Sequence, residues 1–283
     1  MSTLSTQLQL LHKSCWAYGR TPLCWAIMGG MVEAVQYLLS TGADPNEADQ
    51  LGSRALHECV NLLSDPSKSD VIVVAPAIAE LLLSAGADVK AVTLSGRSAL
   101  HQLFCHNRDK YSLESGTLKT SSALWAQAEY TSRQCSETKA PKTFVASVHR
   151  IKSSCQRLLT RALLQWGADV MSVDREGNTA LHYCVRDDTA GASLVELLRH
   201  RADPYHLDAA FGRTALHSAC VAGAARNAHI LSRWDADARH LSKGLAQLQD
   251  KKGKIPGQLL PSLCDPNCLV TLWSACRSGN EEL

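Results

Sequence analysis

Four histidines follow a fixed local rule: His57, His101, His182 and His217 each stand three residues after Arg54, Ser98, Thr179 or Thr214. A histidine beside a hydroxyl could serve as the base of a nucleophilic pair, and a histidine beside cysteine could hold zinc. Zinc needs several ligands on one centre. The sequence offers fragments only: Cys264-x-x-x-Cys268 with no second pair at suitable spacing, Cys276 alone, and Cys105-His106. Nucleophilic chemistry needs a turn that exposes the hydroxyl. No Gly-x-Ser-x-Gly elbow, oxyanion-type glycine loop or nucleotide fingerprint occurs. The sequence therefore predicts no enzyme, no catalytic residue, no metal site and no cofactor.

The elements that position these histidines repeat. Gly177-Asn178-Thr179-Ala180-Leu181-His182 recurs as Gly212-Arg213-Thr214-Ala215-Leu216-His217 and, upstream, as Gly96-Arg97-Ser98-Ala99-Leu100-His101. Weaker copies are Gly52-Ser53-Arg54-Ala55-Leu56-His57 and Gly19-Arg20-Thr21-Pro22-Leu23-Cys24. An apolar run ending in Ala-Asp alternates with this signature, and its last three copies fall at Asp169, Asp203 and Asp237, a period of 34. A fixed period near 33 carrying T-P-L-H-x-A resembles the ankyrin-repeat family, over nearly the whole chain.

That resemblance implies an all-α ankyrin-repeat solenoid: about six helix–turn–helix repeats joined by β-turn or hairpin loops, with capping ends. It also implies that each histidine hydrogen-bonds its hydroxyl and nearby backbone. Thr21, His57, Ser98, His101, Thr179, His182, Thr214 and His217 are then turn residues, set one repeat apart rather than converging on a centre. Arg54 in place of the hydroxyl predicts a less well ordered second turn.

Composition agrees. Hydrophobic residues make up 45% and aromatics only 5%, a bias toward Ala and Leu that suits thin helix pairs packed closely. A net charge of +2 and a pI near 8.0 give no strong case for nucleic acid or an anionic membrane. No apolar run is long enough to span a bilayer, and residues 1–11 lack a secretory pattern. The odd count of 11 cysteines argues against a complete disulfide framework. The expectation is a reduced intracellular protein, cytoplasmic with the nucleus open to it.

In chain order, residues 1–18 read as an N-terminal capping helix, 19–252 as repeats one to five, and 253–283 as a degenerate sixth repeat and C-terminal cap. In the first repeat Thr21-Pro22 starts the inner helix, residues 32–40 form the outer one, and Gly42 closes it. The second repeat carries a polar loop at 64–69, and Pro76 favours a helix start after it. The third is split. Asp88 and Asp169 lie 81 residues apart, one period plus an insertion at about 106–148, with the outer helix expected at 151–166. The insertion is polar, expected to be largely mobile, and contains a possible short helix at 121–130.

Two sets of residues are candidates for binding a partner. Arg20, Arg97 and Arg213 follow the turn glycine in their repeats, and form either a stripe for an acidic partner or ordinary solvated surface. Trp125 and Tyr130 are aromatics within the polar insertion, the kind of residue that anchors on a partner. The function expected is a protein–protein interaction scaffold working through a concave face and loop tips, with no nucleic acid and no small-molecule substrate. An alternative is a substrate adaptor of a cullin-type ubiquitin ligase: one ankyrin family ends in a suppressor-of-cytokine-signalling box, which Pro261-x-Leu263-Cys264 and the amphipathic stretch 269–276 resemble, although the segment is short for that multi-helix box.

Overall fold

The computed structural model describes residues 19–64, 69–105, 142–187, 190–238 and 244–259. The expected capping helix at 1–18, the possible helix at 121–130, Trp125, Tyr130 and the C-terminal segment from 260 lie outside them. What is described is helical and repetitive. Inner helices are α1 (Pro22–Met28), α3 (Ala55–Asn61), α6 (Ala99–Phe104), α8 (Ala180–Cys184) and α10 (Ala215–Ala222). Outer helices are α2 (Val32–Ser40), α5 (Ala75–Ser84), α7 (Lys142–Gln165), α9 (Gly191–Arg199) and α11 (Ala225–Ala238). A short helix, α4 (Ser69–Ile72), precedes α5, and 3-10 turns at Leu62–Ser64, Leu245–Gln247 and Pro256–Leu259 fill the remainder.

Inner helices of five to eight residues are too short to be stable alone. Packing holds them. Each inner helix contacts the next inner helix, and each outer helix the next outer one, from α1 to α10 and from α2 to α11. The leucine of the repeated signature is the common knob: Leu23, Leu56, Leu100, Leu181 and Leu216 are all 2% exposed or less. Small neighbours such as Ala26, Cys59, Cys184 and Ala219 are buried too and let the helices approach. Removing one such leucine to Ala costs about 2–5 kcal/mol.

The split third repeat closes as one unit, because α6 and α7 pack together and α7 also lies between α5 and α9. α7 begins at Lys142, earlier than the sequence suggested, so the last residues of the expected insertion, 142–148, are helical. Nothing in 142–165 stops the helix: it holds no Pro and no Gly. In the second repeat a short helix and a turn come before α5, whose second residue is Pro76. Among the described residues no helix is long and apolar enough to cross a membrane.

Candidate functional site

The turns between repeats carry the charged and polar residues, and they are built from one recurring device. At Asp49, Asp174 and Asp250 the carboxylate Oδ1 accepts main-chain N–H groups two and four residues on, at 2.8–3.0 Å. A main-chain bond then closes the turn onto glycine, as from Gly177 N–H to the Asp174 carbonyl at 3.0 Å. Successive tips are joined. Leu94 N–H donates to Leu51 O, Arg175 to Ser95, Ala209 to Glu176 and Lys251 to Phe211, at 2.9–3.2 Å. Gly177 shows why glycine is required: its φ is 76°, and a Cβ there would lie 2.7 Å from Ala209 N.

The histidines staple each turn to the next. The main-chain N–H of Ser98, Thr179 and Thr214 donates to Nδ1 of His101, His182 and His217 at 3.2–3.3 Å, with the hydroxyls 2.8–2.9 Å from the same atom. Nδ1 is thus the unprotonated nitrogen, and Nε2–H donates to the carbonyl of Asn178, Arg213 or Lys254 in the following turn at 3.0–3.2 Å. This works only for neutral imidazole. Burial pushes the titration of His101, His182 and His217 downward. His57 is lowered to about 4, by burial first and the Arg54 cation second, against the pull of the Arg97 carbonyl. Cys24 stands at the histidine position of the first repeat, where Thr21 Oγ1 accepts its N–H at 3.2 Å.

At Arg54 the missing hydroxyl is replaced by other contacts. Its N–H still donates to His57 Nδ1 at 3.2 Å, and its Nε donates to the Asn46 carbonyl at 3.0 Å. The looser second turn read from the sequence considered only the lost hydroxyl; the longer side chain supplies another tie.

Arg20, Arg97 and Arg213 face the turn aspartate of the next repeat. Their Nε atoms lie 4.0, 3.7 and 3.6 Å from Oδ2 of Asp49, Asp174 and Asp250, ion pairs whose acids are 2% exposed or less and whose arginines are 15–20% exposed. Arg20 also reaches Glu58 at 3.8 Å. Where Ser53 replaces arginine, the following turn begins with Thr93 and needs no cation; Ser53 Oγ donates to Glu58 instead. Each guanidinium also lies over an aromatic ring: Trp25 at 5.9 Å, Tyr183 at 5.3 Å and Phe211 at 4.6 Å. Tyr183 donates to Asp174 Oδ2 at 2.5 Å, and burial followed by that bond raises its phenol. Main-chain N–H groups of Lys254 and Lys252 hold the Asp250 carboxyl below the usual range.

The sequence reading missed a second row of connectors, at the position two residues after the Ala-Asp aspartate. Asn46 bonds Gly86 O and Asp88 N–H at 2.9 and 2.7 Å, Met171 Sδ accepts from Asp203 N–H at 3.3 Å, and Tyr205 donates to Asp235. The residue types differ from repeat to repeat, so the repeat pattern hides a shared role. His206 was missed too; its Nε2 lies 3.2 Å from Gly177 O, edge-on to His182 with ring centroids 5.9 Å apart. Among the described residues no three His, Cys, Asp or Glu side chains gather as a metal set.

Comparison with known proteins agrees with this architecture. The family model described as "Ankyrin repeats (3 copies)" matches residues 4–68 and 151–241, over half of the chain. The unmatched stretch between them includes α5 and α6, which pack as their counterparts do. The chain is similar to the B-cell lymphoma 3 protein homolog of Mus musculus, at 29% identity over 221 residues, 78% of this chain and 45% of that protein. It is similar also to the B-cell lymphoma 3 protein of Homo sapiens, at 29% over 231 residues, 78% of this chain and 44% of that protein. The chain thus spans less than half the length of these curated relatives. Its helix-pair repeats, turn staples and family match together make it a member of the ankyrin-repeat family.

Proposed function

We propose that the protein is a non-catalytic scaffold that binds a partner protein through the inner-helix side and turn tips of its stack. Membership of the ankyrin-repeat family and likeness to B-cell lymphoma 3 proteins support an interaction protein in general. The finer reading rests on the arginine–aromatic pairs. Trp25 and Phe211 are 40% and 47% exposed, each beside an arginine anchored on a buried aspartate. Trp, Phe and Arg supply large contact areas, and anchored ones lose little freedom on binding. Leu51 and Leu94, 45% and 57% exposed on neighbouring tips, extend the apolar contact. Arg20, Arg97 and Arg213 contribute here as platforms for the rings, since their charge is already met from within the protein.

The test is quantitative affinity capture from cells with the wild-type chain and with Trp25→Ala/Phe211→Ala. Both side chains are substantially exposed, so the variant should keep the wild-type melting curve. A captured protein reduced about tenfold or more by the pair would identify the partner of this face. Identical capture by the two proteins would remove the inner side as the binding surface. The cullin-adaptor alternative has no support of its own, and capture of cullin or elongin subunits is the observation that would restore it.

A further inference from the structure

The outer helices divide the charge unevenly, although the whole chain carries only +2. α2 and α5 contain one acid each, Glu33 and Glu80, both exposed, and neither Lys nor Arg. From α7 onward the pattern inverts. α7 contains no acid and exposes Arg157 and Arg161; Arg199, His200 and Arg201 are exposed at the end of α9; Arg226, His229 and Arg233 are exposed on α11. The acids on these helices are few. Glu196 sits 3.9 Å from Arg199, and Asp235 is occupied by the Tyr205 hydroxyl and the Leu245 N–H, with Asp237 following in the last turn. Arg157, Arg161, Arg201, Arg226 and Arg233 make no ion pair among the described residues. Since α7, α9 and α11 pack in series, these exposed cations lie on three neighbouring outer helices, with Arg199, His200 and Arg201 at the end of the middle one.

Arg201 supplies an independent observation. It has φ 66°, the only non-glycine with positive φ among the described residues. The same position in the first three repeats is Gly42, Gly86 and Gly167, with φ of 95°, 86° and 87° and open space where a Cβ would stand. Glycine would be the more stable choice, so stability does not account for an exposed arginine at this point. A third observation concerns what lies between the charges. Leu158, between Arg157 and Arg161, is 55% exposed, Ile151 earlier on the same helix is 37% exposed, and Trp166, in the turn just after it, is 53% exposed.

From these features we infer that the outer face of α7, α9 and α11 docks an acidic, amphipathic peptide segment of a partner protein. Every exposed cation named on it is Arg or His, and the guanidinium fork matches a carboxylate in two parallel hydrogen bonds. Acidic peptide fits better than nucleic acid, because a phosphate backbone uses the charge but leaves Leu158 and Ile151 without a partner. The surface is separate from the turn-tip face and does not depend on it.

The test uses the full chain and a fluorescent synthetic peptide with glutamates on one helical face and leucines on the other. Anisotropy should show saturable binding that weakens as salt is raised from about 50 to about 300 mM. Arg157→Ala/Arg161→Ala/Arg233→Ala should weaken it about tenfold or more while leaving the helical circular dichroism unchanged, since Ala is the better helix former. Arg201→Gly should weaken binding several-fold and raise Tm, a combination that a purely structural residue would not give. Trp25→Ala should bind the peptide as wild type does, which separates this face from the turn-tip reading. Undiminished affinity in the triple variant overturns the proposal. So does an Arg201→Gly protein that binds as tightly as wild type, or a single-stranded oligonucleotide of equal charge that binds more tightly than the peptide.

Discussion

Acid should loosen the stack at its histidines, and His57 gives the magnitude. Its imidazole is buried at 1% exposure and its titration falls from 6.5 to about 4. The folded state therefore binds the proton less readily than the unfolded chain. Stability from this residue is complete above pH 6.5, declines as pH falls below that value, and is fully lost below about 4. The shift corresponds to about 3 kcal/mol in total, and to about 2 kcal/mol by pH 5. His101, His182 and His217 shift the same way and add to the loss. The stack supplies its own control. In the sixth repeat Gln258 stands at the histidine position, and its Oε1 accepts the Ile255 N–H at 3.2 Å as a histidine Nδ1 would. His57→Gln should keep that bond without titrating. Urea unfolding at pH 7 and pH 5 would measure wild type and variant, comparing the change with pH rather than the level at either. Wild type should lose about 2 kcal/mol more than the variant. Equal losses would refute the argument that His57 must be neutral in the fold.

Glycine substitutions should separate two costs: Gly42→Ala meets only the left-handed backbone, about 1–2 kcal/mol, whereas Gly177→Ala also drives a Cβ into Ala209 and should cost clearly more by thermal melting. For Arg97→Ala, the loss should be about 1–3 kcal/mol, because Asp174 remains buried but keeps its bonds from Tyr183, Glu176 and Asn178; a double-mutant cycle with Asp174→Asn should show coupling, and simple additivity would argue against the pair. The buried thiols Cys24, Cys59 and Cys184 are raised by burial, so mass spectrometry of briefly alkylated native protein should find them unmodified, with full labelling in denaturant.

The pairing of each histidine with its hydroxyl and the Ala-Asp turns were legible because those contacts lie within four residues and recur at a fixed period, whereas the Nε2 bonds to the next repeat, 31 to 77 residues away, were not. The Ala-Asp motif, for example, is an aspartate that accepts the N–H two residues on, as Asp169 does from Met171 at 2.9 Å. Arg20, Arg97 and Arg213 were legible as a series, but not in their orientation. Their aspartates lie in the next turn, at separations that the third-repeat insertion makes irregular. A sequence signal existed: Ser53, without a charge, precedes the turn that begins with Thr93 in place of Asp. Asn178 before Asp208 breaks the rule, so it would have been a weak guide. The uneven charge of the outer helices was hidden by averaging, because a net charge of +2 for the whole chain says nothing about which helix carries it.

The third repeat joins its two helices through the longest connection in the stack, yet α6 and α7 meet each other and are gripped by the repeats on either side. Covalent continuity and structural continuity therefore part company at this point. Two separately made polypeptides, one ending after α6 and one starting at α7, each retain whole neighbouring repeats and expose complementary halves of the missing one. They should find each other and rebuild the stack as a two-chain assembly, so that a scaffold written as one gene product can be operated as a split pair.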